Sequence, residues 1–476
     1  MLTRMNHFFQ LKKNRKEPLC YAPFNNLLID QQGKLKICCH NYTYILGIYS
    51  ENNIDEIWFG ENRKKIISQF LNSEIPPSCL NCINSGLNIA SPDSKVSDSV
   101  KNTSIRFDQY PAQIEFLLDN TCNLNCIMCS PNNSSASSAQ ATLFKKVFFD
   151  DEFIYQLKPF LKNTEFFVFS GGEPFLIPIY SKIWDVIHTD NPGASIYIQT
   201  NATILNEQIK QKIKYYKMDI GVSIDSISKE LYETIRRNAH FETTFENLDY
   251  FIQHTRSLGK RLSLTATPMT LNAHEIPQIV EFCNTKDIKF SLSILEEPLD
   301  LAIWALSSAE INKLVVEYKA FHFTSNTNCS VFKENIQSFQ NFLELIEKYA
   351  QRKTFFETKE TEILVDILNK SVSIAENFDS SLQEQINRMN LSKEEKEKML
   401  ERSKRLNVLF YNQFSPFFDK SFYFYSLFIR NEISFFINHL LYYNDTVLEK
   451  IMDEKMKELS LMFKTKSYDR IIDIDE

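Results

Sequence analysis

Cys122, Cys126 and Cys129 stand at gaps of three and two residues in the stretch Leu118-Asp119-Asn120-Thr121-Cys122-Asn123-Leu124-Asn125-Cys126-Ile127-Met128-Cys129-Ser130. Three thiolates on one short loop suit three irons of a cubane [4Fe–4S] cluster, leaving the fourth iron open to another ligand. A tetrahedral zinc site wants a fourth protein ligand, and neither His nor Cys occurs between Ser130 and the next strand-like run. A zinc knuckle and three unrelated buried thiols are the competing readings of the same residues. The apolar run Ile114 to Leu118 reads as a buried strand, so the cysteines fall in the loop leaving its C-terminal end.

A second set lies upstream. Cys20, Cys38, Cys79 and Cys82 supply four thiolates, enough to saturate either a [4Fe–4S] cluster or a structural zinc ion, with Cys39 a spare or a substitute for Cys38. Around them, Cys20-Tyr21-Ala22-Pro23-Phe24 leads into a strand-like Asn26 to Asp30, a turn at Gln32-Gly33 and a second strand, Lys34 to Cys38. Leu46-Gly47 comes next, then one amphipathic helix from Ile54 to about Leu71, ended by Pro76-Pro77. Three further strand ends carry polar residues: Ser170-Gly171-Gly172-Glu173-Pro174, Thr200-Asn201-Ala202, and Gly221-Val222-Ser223-Ile224-Asp225-Ser226. Glycines adjoining an acidic residue let a backbone approach a cation without a Cβ in the way.

The three-cysteine loop followed by Gly171-Gly172-Glu173-Pro174 resembles the radical S-adenosylmethionine (SAM) enzymes over about Pro111 to Leu301. The upstream module resembles their twitch or SPASM-type auxiliary-cluster domains, which more commonly follow the core than precede it. The resemblance implies that Cys122, Cys126 and Cys129 hold a catalytic [4Fe–4S] cluster whose open iron chelates SAM. It implies a second, auxiliary [4Fe–4S] cluster on Cys20, Cys38, Cys79 and Cys82. Gly171, Gly172 and Glu173 would meet the methionyl ammonium and Asn201 the ribose, with Ser223 and Asp225 following the fourth strand. Arg236 matches an arginine of SPASM-type relatives, and its fork suits the methionyl carboxylate. Asp225 as a helix cap and Arg236 as a surface charge are the plainer readings. Ala202 stands where the family often has Gly.

The implied activity is reductive cleavage of SAM to a 5′-deoxyadenosyl radical that abstracts hydrogen from a substrate, with a flavodoxin- or ferredoxin-type electron donor. The cofactor does the difficult chemistry and the protein positions it. The auxiliary module points to a peptide substrate, with oxidation or epimerisation of a sugar or other small molecule as the alternative. From another class, a non-catalytic iron–sulphur or zinc protein with a partner-binding helical tail would need no Gly-Gly-Glu-Pro turn. A radical SAM methyltransferase is the third reading, but no cobalamin-binding pattern is evident.

Repeated strand–helix units must position these loops. Strand runs at Gln113–Asp119, Glu165–Ser170, Ser195–Thr200, Met218–Ile224, Arg261–Thr267 and Ile288–Ile294 alternate with helical patterns around Thr142–Leu161, Ile179–His188, Asn206–Lys214, Thr244–Thr255 and Glu275–Thr285. Such units imply a parallel sheet with right-handed crossovers, here an α/β partial (β/α)6 TIM-like barrel with chemistry at the strands' C-terminal ends. The expected domains are a polar tail at 1–18, a small α+β cysteine-rich domain at 19–90, a linker at 91–107, the barrel at 108–300 and a helical region at 301–476. All nine glycines lie at or before Gly259, which leaves the last third short of helix breakers. There Ser392-Lys393-Glu394-Glu395 forms a capping box, and the aromatic stripe Phe410 to Tyr443 suits core or partner surface. A net charge of −7 argues against a nucleic-acid binder, and no apolar run is long enough to span a bilayer. With no signal-peptide core, ten cysteines suit metal ligation in a reducing cytoplasm, with Cys283 and Cys329 as lone packing thiols.

Overall fold

The computed structural model describes residues 20–39, 44–72, 74, 79, 108–129, 134–135, 147–260, 262–295, 298, 300–324, 331–358, 386–387 and 392–401. The strands are β1 (Asn26–Asp30), β2 (Lys34–Lys36), β3 (Gly47–Ile48), β4 (Gln113–Leu117), β5 (Phe166–Phe169), β6 (Ser195–Thr200), β7 (Asp219–Ser223), β8 (Ser263–Ala266) and β9 (Lys289–Leu292). The helices are α1 (Ala22–Asn25), α2 (Ile54–Trp58), α3 (Glu61–Leu71), α4 (Asp151–Asn163), α5 (Pro178–Asp190), α6 (Glu207–Tyr215), α7 (Lys229–Ile235), α8 (Phe241–Ser257), α9 (Ile276–Lys286), α10 (Ser308–Ala320) and α11 (Phe332–Thr358).

One sheet in the order β3-β2-β1-β4-β5-β6-β7-β8-β9 carries both the cysteine-rich module and the six predicted strand–helix units. Strands β4 to β9 are parallel neighbours in sequence order, so right-handed crossovers put their helices on one face. Alternation then divides the strand residues. Phe116, Phe167, Phe169, Ile198, Val222 and Leu264 are fully buried, and the Phe169 ring packs 5.0 Å from Tyr180 and 5.6 Å from Trp184 of α5. Their neighbours Glu115, Gln199, Ser223, Thr265 and Ser291 point to the opposite, concave face and stay partly exposed. The free edge of β9 is closed by a side chain: Asn335 of α11 accepts from the Phe290 amide at 2.8 Å and donates to the Ile288 carbonyl at 3.0 Å.

The hairpin β1–β2 turns at Gly33, whose φ of +72° lies in the left-handed region. β1 then pairs in parallel with β4 over Asn26↔Gln113 to Asp30↔Leu117. Arg63 of α3 fixes the entry to β1. Fully buried, it donates to the carbonyls of Pro23 at 3.1 Å and Phe24 at 3.0 Å while its guanidinium lies 3.7 Å over the Trp58 ring. Burial draws it down to about 10.

Three expectations are refined. The single helix expected from Ile54 to Leu71 is two, α2 and α3, parted at Gly60, which holds extended backbone at the N-cap of α3. Of the helix expected over Thr142–Leu161, Thr142 to Lys146 lie outside the described residues; the helix described begins at Asp151, where Asp150 caps it by accepting from the amides of Glu152 at 3.1 Å and Phe153 at 3.2 Å. The short helix α7 was not expected at all. The capping box forms: the Ser392 amide and hydroxyl each donate to Glu395 at 2.7 Å. The linker, Cys82, Cys329 and the aromatic stripe lie outside the described residues. Among those described, no helix is long and apolar enough to cross a membrane.

Candidate active site

The three-cysteine loop leaves the C-terminal end of β4 and is anchored on three sides. On the first, the amides of Gly172 and Glu173 donate to the carbonyls of Asp119 at 3.0 Å and Thr121 at 2.8 Å. This approach explains the two glycines: Gly171 has a φ of +118°, and a Cβ there would stand 2.5 Å from the Asp119 carbonyl oxygen. A Cβ on Gly172 would collide with the Thr121 carbonyl. On the second side, Asn201 beyond β6 donates to Asn123 Oδ1 at 3.0 Å and to Cys122 Sγ at 3.8 Å, and Asn123 donates to Thr203 at 2.8 Å. On the third, the amides of Asn125 and Ile127 donate to the carbonyls of Arg237 at 3.1 Å and Ile235 at 3.0 Å. Cys122, Cys126 and Cys129 are all partly buried and none is in a disulfide. Burial pushes the Cys126 thiol up, while nearby Arg236 draws it down.

Glu173 is fully buried and spends its carboxylate on the next strand end. It accepts from the Thr200 hydroxyl at 2.8 Å and from the Asn201 amide at 2.9 Å. Burial pushes its carboxyl up to about 7 against the pull of those two donors. Sequence reasoning cast Glu173 and Asn201 as SAM contacts. The structure gives both a tie to the cysteine loop as well. Ala202 takes a φ of +58°, a left-handed conformation that glycine adopts without the strain a Cβ brings.

Arg236 and Asp225 form a buried ion pair at 2.7 Å, with side chains 7% and 0% exposed. Asp225 also accepts from the Thr267 amide at 2.7 Å. Neither plainer reading fits, since Arg236 is not on the surface and the N-cap of α7 is Ser228. Burial disfavours the Arg236 charge, but Asp225 and Cys126 outweigh it and hold the guanidinium above its usual range. Among the described residues its buried Nε has no hydrogen-bond partner, leaving a donor that a carboxylate would satisfy. Ser223 accepts from Gln199 Nε2 at 2.8 Å on the concave face.

Sequence reasoning missed Tyr180, whose buried hydroxyl joins the two loops at their roots. It accepts from the Leu118 amide at 3.0 Å, and its hydrogen faces the carbonyls of Ser170 at 2.7 Å and Phe116 at 3.0 Å. A tyrosine in the apolar stripe Tyr180, Ile183, Trp184, Ile187 was the available signal.

The other cysteines lie elsewhere. Cys20 precedes α1, which feeds the start of β1, and the Ile37 carbonyl beside Cys38 accepts from Asn26 at 2.8 Å. Because β1 and β4 are parallel, Cys20 and Cys38 sit at the strands' N-terminal end, with Cys122 beyond the C-terminal end. The five residues of β4 separate them by roughly 15 Å of strand rise. Among the described residues, no three of His, Cys, Asp and Glu converge on a single metal ion. A surface cavity of about 470 Å³ between α6 and α8, lined by Lys214, Lys217, Tyr250 and His254, touches none of these loops.

Two family models match the chain: the radical SAM superfamily over residues 118–283 and an iron–sulfur cluster-binding domain, SPASM, over residues 20–83. An uncharacterized protein of Methanocaldococcus jannaschii is 35% identical over 23% of this chain and 36% of its own length. The GTP 3′,8-cyclase of Chlorobaculum tepidum is 24% identical over 42% of this chain and 58% of its own. The chain thus spans between about a third and three fifths of these relatives' lengths. Among solved structures, native anSMEcpe with bound AdoMet aligns at 18% identity and a TM-score of 0.35, over 48% of this chain and 61% of that one. The domains imply a [4Fe–4S] cluster with SAM and auxiliary iron–sulfur ligation, which the loop cysteines and the open Arg236 donor fit. The chain therefore carries a radical SAM superfamily domain, preceded by a SPASM iron–sulfur cluster-binding domain.

Proposed function

We propose that this chain is a radical SAM enzyme that removes a hydrogen atom from a peptide substrate. Bound at Cys122, Cys126 and Cys129, a [4Fe–4S] cluster with SAM supplies reductive cleavage of the sulphonium to a hydrogen-abstracting 5′-deoxyadenosyl group. The observation that carries the reading is the convergence of three anchored elements on one loop: the Gly171–Glu173 turn, Asn201 and the end of α7 beside Arg236. Arg236 Nε would take the SAM carboxylate, and the Gly171–Glu173 backbone would face its ammonium. Cys20, Cys38, Cys79 and Cys82 would hold the auxiliary cluster, and a flavodoxin- or ferredoxin-type protein in the cytoplasm would deliver the electron.

A second reading, a nucleotide substrate, is favoured by the similarity to GTP 3′,8-cyclases at 21–24% identity. The test of the cofactor reading is anaerobic reconstitution followed by iron analysis and electron paramagnetic resonance. About eight irons per chain are expected, and the reduced spectrum should change when SAM is added. A count near four with zinc present removes the auxiliary cluster, and a spectrum indifferent to SAM removes the catalytic one.

A further inference from the structure

We infer that the concave face of the sheet is a substrate chamber built for neutral amide and hydroxyl groups, not for a polyanion. The inference rests on the radical reading above and names its substrate class. The Gly171–Glu173 turn, Asn201 and the cysteine loop all cap the C-terminal ends of β4 to β6, so a substrate beneath them meets the inward residues of the strands.

Apart from the apolar Leu117, Phe166 and Val168 on β4 and β5, those residues form a hydrogen-bonding row. Tyr197 donates to Gln199 Oε1 at 2.8 Å, and Gln199 Nε2 donates to Ser223 at 2.8 Å. Gly221 lies under this chain, and any Cβ there would collide with the Tyr197 hydroxyl. Ser223, Thr265 and Ser291 are register neighbours across β7, β8 and β9, and the Ser263 and Ser291 hydroxyls stand 3.3 Å apart. On β4, Glu115 accepts from Gln113 at 2.9 Å and from Asn26 at 3.1 Å. Glu115, Gln199, Ser223, Ser263, Thr265 and Ser291 are partly exposed, while Tyr197, Gln113 and Asn26 are buried behind them, as are the helix-covered residues of the other face.

Charge decides the class. Among the described residues, the inner face of β4 to β9 carries one basic side chain, Lys289, which faces Glu334 at 3.4 Å. Its two acids are Glu115 and Asp219, and Asp219 pairs with Lys260 at 2.8 Å. A nucleoside triphosphate binds best where arginine or lysine forks meet its phosphates, and this face offers them a single lysine, already facing Glu334, beside two carboxylates. The same face matches the donors and acceptors of a peptide segment or a polyol.

The experiment uses SAM-loaded, cluster-reconstituted full-length protein. Calorimetry with GTP and with inorganic tripolyphosphate should give no saturable binding up to about 1 mM, and the double variant Gln199→Lys, Ser291→Lys should gain at least about tenfold in tripolyphosphate affinity. Saturable GTP binding by the wild type overturns the assignment. A variant that binds SAM yet gains nothing for tripolyphosphate also overturns it, because the row would then lie outside the chamber. Deuterium reaching 5′-deoxyadenosine from a perdeuterated capped serine–asparagine peptide marks a peptide, and from a perdeuterated hexose a polyol; transfer from neither counts against the assignment. Substrate-free 5′-deoxyadenosine formation is read in parallel. Its absence would strike the radical reading and not the substrate class.

Discussion

The Asn201 amide donates to the Glu173 carboxylate at 2.9 Å, and the Asn201 side chain reaches Cys122 Sγ at 3.8 Å. A buried acid beyond β5 thereby positions the first cysteine after β4. Glu173→Gln keeps the shape but turns an NH2 toward one of the donors it must accept. SAM affinity should fall by about 1–3 kcal/mol, and iron content should fall with it. Calorimetry and iron analysis on the same sample check this. Full iron with weakened SAM binding would instead mean that Glu173 serves the ligand directly.

The same carboxyl gives a pH dependence. Its value in the fold is raised from 4.5 to about 7, so between those values the folded state holds a proton that the unfolded chain has released. Stability from this group is fully present below the unfolded value and is lost as pH rises through about 7. Thermal melts of wild type from about pH 5 to about pH 8 should fall relative to Glu173→Gln, and parallel curves would refute the assignment.

Tyr180→Phe removes one oxygen that meets three backbone groups, at Phe116, Leu118 and Ser170. The ring keeps its place against Phe169 and Trp184. The expected cost is about 1–3 kcal/mol for stranding buried backbone groups, together with weaker SAM binding. Loss of stability in urea without any loss of SAM affinity would show that the hydroxyl serves the fold alone.

Gly172→Ala should abolish cluster incorporation, because its Cβ meets the Thr121 carbonyl. Gly193→Ala, at a position with nothing within 4 Å, should be silent. The 4Fe–4S absorbance of the two purified variants separates them. Normal absorbance in Gly172→Ala would mean that the loop yields at no cost.

Arg63→Leu should destabilise the cysteine-rich module by about 3 kcal/mol or more, since the carbonyls of Pro23 and Phe24 lose a buried partner. Iron should drop from about eight toward about four per chain, as it should in Cys79→Ala, Cys82→Ala. Undiminished iron would show that this arginine is not needed to hold Cys20 in place.

Much of the site was legible because the chemistry lies at strand ends and the strands are strongly patterned. Phe166 to Phe169 and Ile196 to Ile198 announce buried strands, and the segment after each must be a loop at one end of a parallel sheet. Pattern put Cys122, Gly171 and Asn201 at strand ends on one side of the sheet, and the family resemblance supplied their shared role. The joining of β1 to β4 was not legible, since long-range pairing leaves no periodic trace and a polar stretch separates the two strands in sequence. Nor were the roles of Tyr180 and Glu173, which depend on backbone groups of other segments and not on their own neighbours. The break at Gly60 was the nearest miss, as a glycine within an amphipathic pattern already marks a candidate helix end.

The central claim is that Cys122, Cys126 and Cys129 hold a cluster that cleaves SAM. The most direct measurement is 5′-deoxyadenosine released by dithionite-reduced, anaerobic holoprotein given SAM and no substrate. Slow formation is expected from the wild type, because a held SAM and an electron suffice. Alanine at any of the three cysteines should abolish it, while alanine at Cys79 or Cys82 should leave some cleavage. No 5′-deoxyadenosine from wild-type protein with intact, reducible clusters would contradict the account.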